Sequence, residues 1–532
     1  MNLSLLTRNK WHGGQLIAFS AVDGPTDFEN GLVARSTFEQ PGLEIKIPGE
    51  CRIDVDAALE STCTLASDWF EIGSVKGVMI DAHHLMIQGP CSAAAADSEI
   101  SVLKRNNRLL VASTASFSPE HINADMDSVM AERTAWLRKQ SVPEKTGPSS
   151  APPFAKALSM MKSQVCSAEG IIRHTWTTPD RWPHRAMWLW DSVFHAAGWR
   201  HIDVDLSRQM ISAVLDTQQE DGFIAHRMTP NNISPITQPP VLAMGIKLVT
   251  ETAPDKEWVR SVYPKLCEYV DWDCKNRDSD GNGLLEWHIE GNAQCRSGES
   301  GMDNSPRFDT ATQLDAVDFN SFIALEFELL SECAACLGRE DESAEWRRRY
   351  KDMCERIRGL WSAESEFFMD RDVHSNALSP VLASSGFMPL ICGAATPDQA
   401  EKLARHIHDP QMFGTAFPVP SIAAKDREHY CEDMWRGPTW ININWLIARG
   451  FDRYKMTDIA QEIREKSIKE IEKYWKKFST FFEYYHDRGE LDPPLLKRKG
   501  TCAPDEHPYH QVLHDYGWTA TLYTDMIFTQ GE

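Results

Sequence analysis

The chain is 532 residues long, and its 77 Asp and Glu against 55 Lys and Arg leave a net charge of −22. A field of that sign repels nucleic acid and anionic membrane surfaces, so polyanionic partners are excluded at the level of the whole molecule. Hydrophobic residues make up 42% and charged residues 25%, the balance of an ordinary globular protein, and the length suits about two to four domains, or fewer if one is a large barrel.

The first ten residues hold no apolar run of secretory length, and no later run reaches the length of a membrane span, so a soluble, cytoplasmic protein is expected. Up to about residue 117 the chain runs in short alternating stretches, among them Leu43-Glu44-Ile45-Lys46-Ile47, Val78-Met79-Ile80 and Ile100-Ser101-Val102-Leu103, divided by Gly, Pro and Asp turns. This pattern predicts an antiparallel β-sandwich domain over residues 1–120. A polar helix is expected over 125–139, and the Pro-, Gly- and Ser-rich stretch 142–153 is composed like a linker, so 121–153 reads as a helical segment and linker.

From Phe154 the hydrophobic period changes from two to about 3.6. Helices are predicted near 154–167, 191–202, 203–218, 235–252, 255–277 and 315–338, then near 340–361, 380–394, 397–408, 440–454, 456–478 and 517–529. Short links within pairs and longer loops between pairs predict a mainly α chain in which residues 154–532 form an (α/α)6 barrel, an inner ring of helices wrapped by an outer one. The long segments 278–314, 409–439 and 479–516 then gather at one end, and long loops on a rigid scaffold are where functional residues concentrate.

Two of these segments each carry a carboxylate suited to glycoside chemistry. Asp303 lies in the turn-rich stretch Glu299 to Phe308, and Glu483 lies among Phe481, Phe482, Tyr484 and Tyr485. Glycoside hydrolysis takes one carboxyl to protonate the leaving oxygen and a second to activate water or attack the sugar, which makes Asp303 the candidate acid and Glu483 its candidate partner. Alone, Asp303 reads as an Asx-turn residue; the pair makes the catalytic reading. Trp188-Leu189-Trp190-Asp191, Trp287-His288 and Trp435-Arg436-Gly437-Pro438-Thr439-Trp440 add flat aromatic surface beside polar groups, as the apolar faces and hydroxyls of a sugar require.

The sequence assigns no metal site, and oxygen ligation of Ca²⁺ by Asp278, Asp280 and Asn282 stays open. Asp278-Ser279-Asp280-Gly281-Asn282-Gly283 matches the start of an EF-hand loop, but the twelfth position is Ile289 rather than a bidentate Glu, so a tight turn is the better reading. His195 and His226 have no partner at ligand spacing and are expected to hydrogen-bond. The thirteen cysteines lack paired zinc spacing and read as reduced thiols.

The motifs together resemble the inverting α-glycosidases of glycoside hydrolase family 63, including the bacterial mannosylglycerate and glucosylglycerate hydrolases, and more distantly the trehalases. Glu299 to Arg307 is similar to that group's Glu-Ser-Gly-Trp-Asp-Asn-Ser-Pro-Arg acid motif, with Met302 at the usual Trp. Trp190-Asp191-Ser192, Trp435 to Pro438 with Trp440, Asn442 and Asn444, and Phe482 to Tyr485 match further motifs in the same order over about 154–530. The resemblance implies an exo-acting hydrolase that removes a terminal α-glucosyl or α-mannosyl residue from a small glycoside or oligosaccharide with inversion, without a cofactor. Asp303 is then the general acid and Glu483 the general base; Asp191 and Arg436 hold hydroxyls, Trp190, Trp435 and Trp440 shape the pocket, and Gln238 helps to recognise the aglycone. His226, Arg307, Gly437, Asn442 and Tyr484 complete the implied substrate set. Other chemistries on such barrels are sugar epimerisation, which leans on His pairs, and polysaccharide lysis, which leans on a Tyr or His base with Arg; a carbohydrate-binding protein without catalysis is the third alternative.

Overall fold

The computed structural model describes residues 1–8 and 11–530. Among the described residues, twelve strands form the N-terminal region: β1 (Thr7–Arg8), β2 (Leu16–Ala18), β3 (Val33–Ser36), β4 (Gly42–Ile47), β5 (Cys51–Val55), β6 (Cys63–Leu65), β7 (Trp69–Ile72), β8 (Val75–Asp81), β9 (His84–Gln88), β10 (Cys91–Ala95), β11 (Ile100–Arg105) and β12 (Arg108–Ser113). They build two antiparallel sheets, one in the order β1-β6-β7-β8-β9-β12-β11 and one in the order β10-β5-β4-β3-β2. Continuous apolar runs explain how the larger sheet packs. In Leu85-Met86-Ile87 and Leu109-Leu110-Val111 the outer two residues join the core between the sheets, while Met86 and Leu110 face a second core shared with the helices.

Helices are the main regular elements of the rest: α1 (Met126–Lys139), α2 (Ala151–Ser163), α3 (Leu189–Trp199), α4 (Val204–Asp216), α5 (Leu242–Thr252), α6 (Lys256–Asn276), α7 (Val317–Leu337), α8 (Glu340–Arg358), α9 (Pro397–His408), α10 (Ile441–Arg453), α11 (Thr457–Phe478) and α12 (Gly517–Phe528). Contacts run from α12 to α3, α3 to α5, α5 to α7, α7 to the 3-10 helix Ser384–Leu390, from there to α10, and from α10 back to α12. The elements between these in sequence pack against their outsides: α4 on α3, α8 on α7 and α11 on α10. Composition follows position, since every residue of α3 is buried whereas α8 buries only Trp346, Met353, Cys354 and Ile357. The approach of α3 to α12 is so close that a Cβ on Gly198 would collide with the Thr521 carbonyl oxygen.

Departures from the expected elements have local causes. The helix expected over 235–252 starts only at Leu242, because Pro239 and Pro240 cannot continue a helical hydrogen-bond ladder. The segment 380–394 forms a single 3-10 helix that includes Pro389. The end of the linker-like stretch is helical from Ala151, with Pro152 and Pro153 in the first turn, where their missing N–H groups cost nothing. None of the thirteen cysteines is bridged. No helix among the described residues is long and apolar enough to cross a membrane.

Candidate active site

One mouth of the helical ring carries a cavity of about 230 Å³. Ring helices deliver residues from their N-terminal ends: Trp190 and Asp191 in the first turn of α3, Gln238 just before α5, Trp440 at the N-cap of α10 and Trp518 in the first turn of α12. Loops supply Asp303, Met434, Trp435, Glu483, Arg498, Lys499 and Tyr509.

Asp303 is half-buried in the cavity wall. Burial pushes its carboxyl above the usual carboxylate range, Lys499 and Arg498 pull it down, and the charge of Glu483 adds a smaller upward push. Several of its neighbours hold the loop in place. Glu299 is fully buried and bidentate to Arg277, with Nη2 to Oε1 at 2.6 Å and Nε to Oε2 at 2.9 Å, and it also accepts the backbone N–H groups of Thr237 and His288. Gly301 has φ +69°, and a Cβ there would collide with the Trp190 indole, so the turn admits only glycine without strain. The Asn304 side chain accepts from Trp435 N at 3.0 Å, and its backbone carbonyl accepts from Arg436 Nε at 2.9 Å, which fastens the Asp303 loop to the Trp435 segment.

Glu483 is 2% exposed and meets Arg498 with two hydrogen bonds, Nε to Oε2 at 2.8 Å and Nη2 to Oε1 at 3.1 Å. Glu483 and Asp303 both face the cavity and feel each other through charge rather than through a hydrogen bond. Asp191 is the third carboxyl. Its Oδ1 is buried without a hydrogen-bond partner among the described residues, and burial, reinforced by the charges of Glu483, Asp180 and Asp303, lifts its pKa well above the ordinary value. A buried polar atom without a partner is uncommon in a folded protein.

The apolar part of the wall is a set of indoles. Trp435 and Trp440 stack at 3.9 Å, Trp518 stands edge-on to Trp190 and Trp440 at 5.7 Å each, and Tyr516 packs on Trp518 at 4.9 Å. Gln238 accepts from Trp190 N at 3.1 Å and reaches the cavity. His226 bonds the Ser234 hydroxyl through Nδ1, and burial lowers its pKa to about 4, so the ring is a neutral hydrogen-bonding group near neutral pH. His195 is likewise neutral, with burial lowering its pKa to about 3, and pairs with Thr177.

Eight of the expected site residues therefore line the cavity: Asp303, Glu483, Trp190, Asp191, His226, Gln238, Trp435 and Trp440. Five do not. Arg307 is buried in ion pairs with Asp318 and Asp370, and Arg436 is drawn to Asp309 and the Asn304 carbonyl. Gly437 donates its N–H to Ser421 at 2.8 Å, Tyr484 packs behind Trp440 at 4.6 Å, and Asn442 is wholly buried in the first turn of α10. Met302 is 2% exposed and is also absent from the lining. Arg498, Lys499, His184, Tyr509, Tyr516 and Trp518 do line the cavity without having been singled out in the sequence. A signal existed for Trp518: it opens α12 as Trp190 opens α3 and Trp440 opens α10.

The turn 278–286 is held internally, with Gly283 N donating to Asp278 and Asn282 N to Asp280, while Asp278, Asp280 and Glu286 bring carboxylate oxygens within 4.8 Å of one another.

Residues 183–519, which hold both carboxylates and most of the cavity, match the model of the mannosylglycerate hydrolase MGH1-like glycoside hydrolase domain. The chain belongs to this family. As an MGH1-like glycoside hydrolase it is similar to mannosylglycerate hydrolase MGH1 of Selaginella moellendorffii, at 24% identity over 58% of this chain and 77% of that protein. It is also similar to the mannosylglycerate hydrolase of Thermus thermophilus, at 26% identity over 59% of this chain and 91% of the relative. The crystal structure of a GH63 mannosylglycerate hydrolase from Thermus thermophilus in complex with glucose superposes with a TM-score of 0.58 at 23% identity, covering 70% of this chain and 99% of that one. A rhamnosidase from Klebsiella oxytoca with rhamnose bound covers 97% of this chain and 94% of its own, with a TM-score of 0.52 at 11% identity, and so shares the fold over a longer stretch.

Proposed function

We propose that this MGH1-like glycoside hydrolase removes a terminal α-glucosyl or α-mannosyl residue with inversion, on an (α/α)6 barrel formed by residues 154–532 behind a β-sandwich domain of residues 1–120, with 121–153 joining the two. The cyclic order of helix contacts supports the barrel. The observation that carries the mechanism is one cavity on which Asp303, raised in pKa by burial, and Glu483, clamped by Arg498, both open among five indoles.

In this reading Asp303 is the general acid and donates its proton to the departing glycosidic oxygen. Glu483 takes a proton from a water that attacks the opposite face of the anomeric carbon, using a carboxylate lone pair outside its bonds to Arg498. Asp191 accepts from a sugar hydroxyl, and Trp190, Trp435, Trp440 and Trp518 enclose the glycone. Lys499 lines the cavity and makes no side-chain hydrogen bond or ion pair among the described residues, which favours an acidic aglycone such as glycerate over a neutral one.

The test is a panel of α-glucosides, α-mannosides and their glycerate derivatives, with proton NMR of the first anomer released. Inversion requires the β-anomer first. Release of the α-anomer, or near-normal turnover by Asp303→Asn or Glu483→Gln, would reject the assignment.

A further inference from the structure

Arg35 belongs to β3 of the sheet region and lies outside the residues matched by the family model, yet its guanidinium is buried against the active-site loops. Nη1 donates to the carbonyls of Gly14 at 3.0 Å and His514 at 3.1 Å, and Nη2 to those of Asp180 at 2.7 Å and Trp182 at 2.6 Å. A planar fork with fixed donor directions can hold four carbonyls at once; a lysine ammonium on a flexible stem cannot reproduce that geometry.

Both segments that Arg35 grips on the helical side lead to Glu483. Along the first, the Glu483 backbone N–H donates to Leu513 at 3.1 Å and Phe482 bridges His514, so the backbone of the base is tied to the residue whose carbonyl Arg35 holds. The neighbouring Asp515 accepts from the β2 amide of Leu16 at 2.8 Å and from Thr480 at 2.7 Å, a second tie to the sheet region. Along the other, Asp180 accepts from the His184 backbone N–H at 2.8 Å and from its ring Nδ1 at 2.9 Å. With the proton on Nδ1, the lone pair of Nε2 faces Arg498 Nη2 at 3.4 Å, and Arg498 grips the Glu483 carboxylate.

We propose that Arg35 is a positioning residue for Glu483: one guanidinium of the sheet region fixes the backbone of the base through 513–515 and its side chain through Asp180, His184 and Arg498. The inference rests on the reading of Glu483 as the base. Misplacement of a reacting group by about an ångström costs on the order of 100-fold in rate, so loosening both ties acts on the chemical step more than on binding.

The experiment uses the full chain and the α-glycoside that it turns over fastest. Arg35→Lys keeps the charge and loses the fork; kcat falls about tenfold or more while KM stays within about twofold. In a Glu483→Gln background the same substitution has no further effect on residual turnover, because its route ends at the missing base. Unchanged kcat in Arg35→Lys, or an equal loss in both backgrounds, overturns the proposal. Near-normal activity of Glu483→Gln alone overturns the assignment of the base instead, so the two failures are distinguishable. Should Arg35→Lys not fold, Asp180→Asn, which changes the partner of His184 but leaves Arg35 in place, carries the same expectation for kcat, KM and the double variant, and the same overturning results.

Discussion

Arg498 Nε and Nη2 meet the two oxygens of Glu483 at 2.8 Å and 3.1 Å, and both side chains are 3% exposed. Burial lowers the pKa of Arg498 and the adjacent carboxylate more than offsets it, so the guanidinium stays charged. The pair holds the candidate base in one orientation while leaving a lone pair on each oxygen for water.

Arg498→Met removes that clamp and leaves a buried carboxylate without its partner. Breaking a buried ion pair by deleting one member costs about 3–5 kcal/mol, so the variant melts well below the parent in a thermal scan. Arg498→Lys keeps the charge but loses the parallel bonds, and kcat is expected to fall on the order of 100-fold with most of the stability retained. Equal kcat in Arg498→Lys and the parent would show that orientation of Glu483 is unimportant.

Asp303 gives a pH signature whose sign follows from burial. Its pKa in the folded protein is raised, so it remains protonated above the 3.8 of a free carboxyl and can act as an acid there. kcat/KM should therefore fall as pH rises through the raised value. The folded state binds this proton more tightly than the unfolded chain does, so the stability present below pH 3.8 is lost as pH rises to the folded pKa. Asp303→Asn should melt higher than the parent at neutral pH, lose that advantage below pH 3.8, and be almost inactive throughout. A lower melting temperature for the variant at neutral pH would contradict the burial argument.

Gly301→Ala tests the contact between the Asp303 loop and the Trp190 side of the cavity wall. The residue must keep φ near +69°, and its Cβ must displace the Trp190 indole. Strain of this kind costs about 1–3 kcal/mol. The shift of Trp190 should change intrinsic fluorescence and raise KM together with a drop in kcat, since both Asp303 and the aromatic wall move. Fluorescence and KM like those of the parent would mean that the loop absorbs the methyl without moving Trp190.

Legibility in the sequence followed the range of the interaction. The change of period at Phe154 and the alternation in 43–47 depend on near neighbours, and the helices and strands stand close to where those patterns put them. Pro239-Pro240 shortened one helix for a reason also written locally. Asp303 and Glu483 could be singled out because each sits in a recognisable local motif, and their sharing of one cavity is visible only in three dimensions. Arg498 was not legible: it lies in Leu496-Lys497-Arg498-Lys499, where a run of charge reads as a solvated loop, and only the fold buries its guanidinium against Glu483. The acid motif misled in the opposite direction. Its residues occur together because most of them hold the loop, Glu299 through Arg277 and Asn304 through the Trp435 amide, so membership in the motif is not evidence of contact with sugar.

Arg307 is the sharpest case of that distinction, and it can be settled by kinetics. It closes the motif that contains Asp303, but its Nη2 donates to Asp318, its Nη1 lies 3.3 Å from both oxygens of Asp370, and its side chain has no exposed surface. The two acids are themselves bound to the scaffold, Asp318 by the Trp287 indole N–H at 2.9 Å and Asp370 by the Val317 amide at 2.9 Å. Arg307→Met therefore strands two buried carboxylates, at a cost of about 3–5 kcal/mol. The melting temperature should fall, and chemical denaturation should report the same loss. Molecules that remain folded keep their sugar contacts, so KM measured well below the new melting temperature should stay within about twofold of the parent. A rise in KM of about tenfold without a fall in stability would place Arg307 against the sugar and reverse the reading of this ion-pair triad as structural.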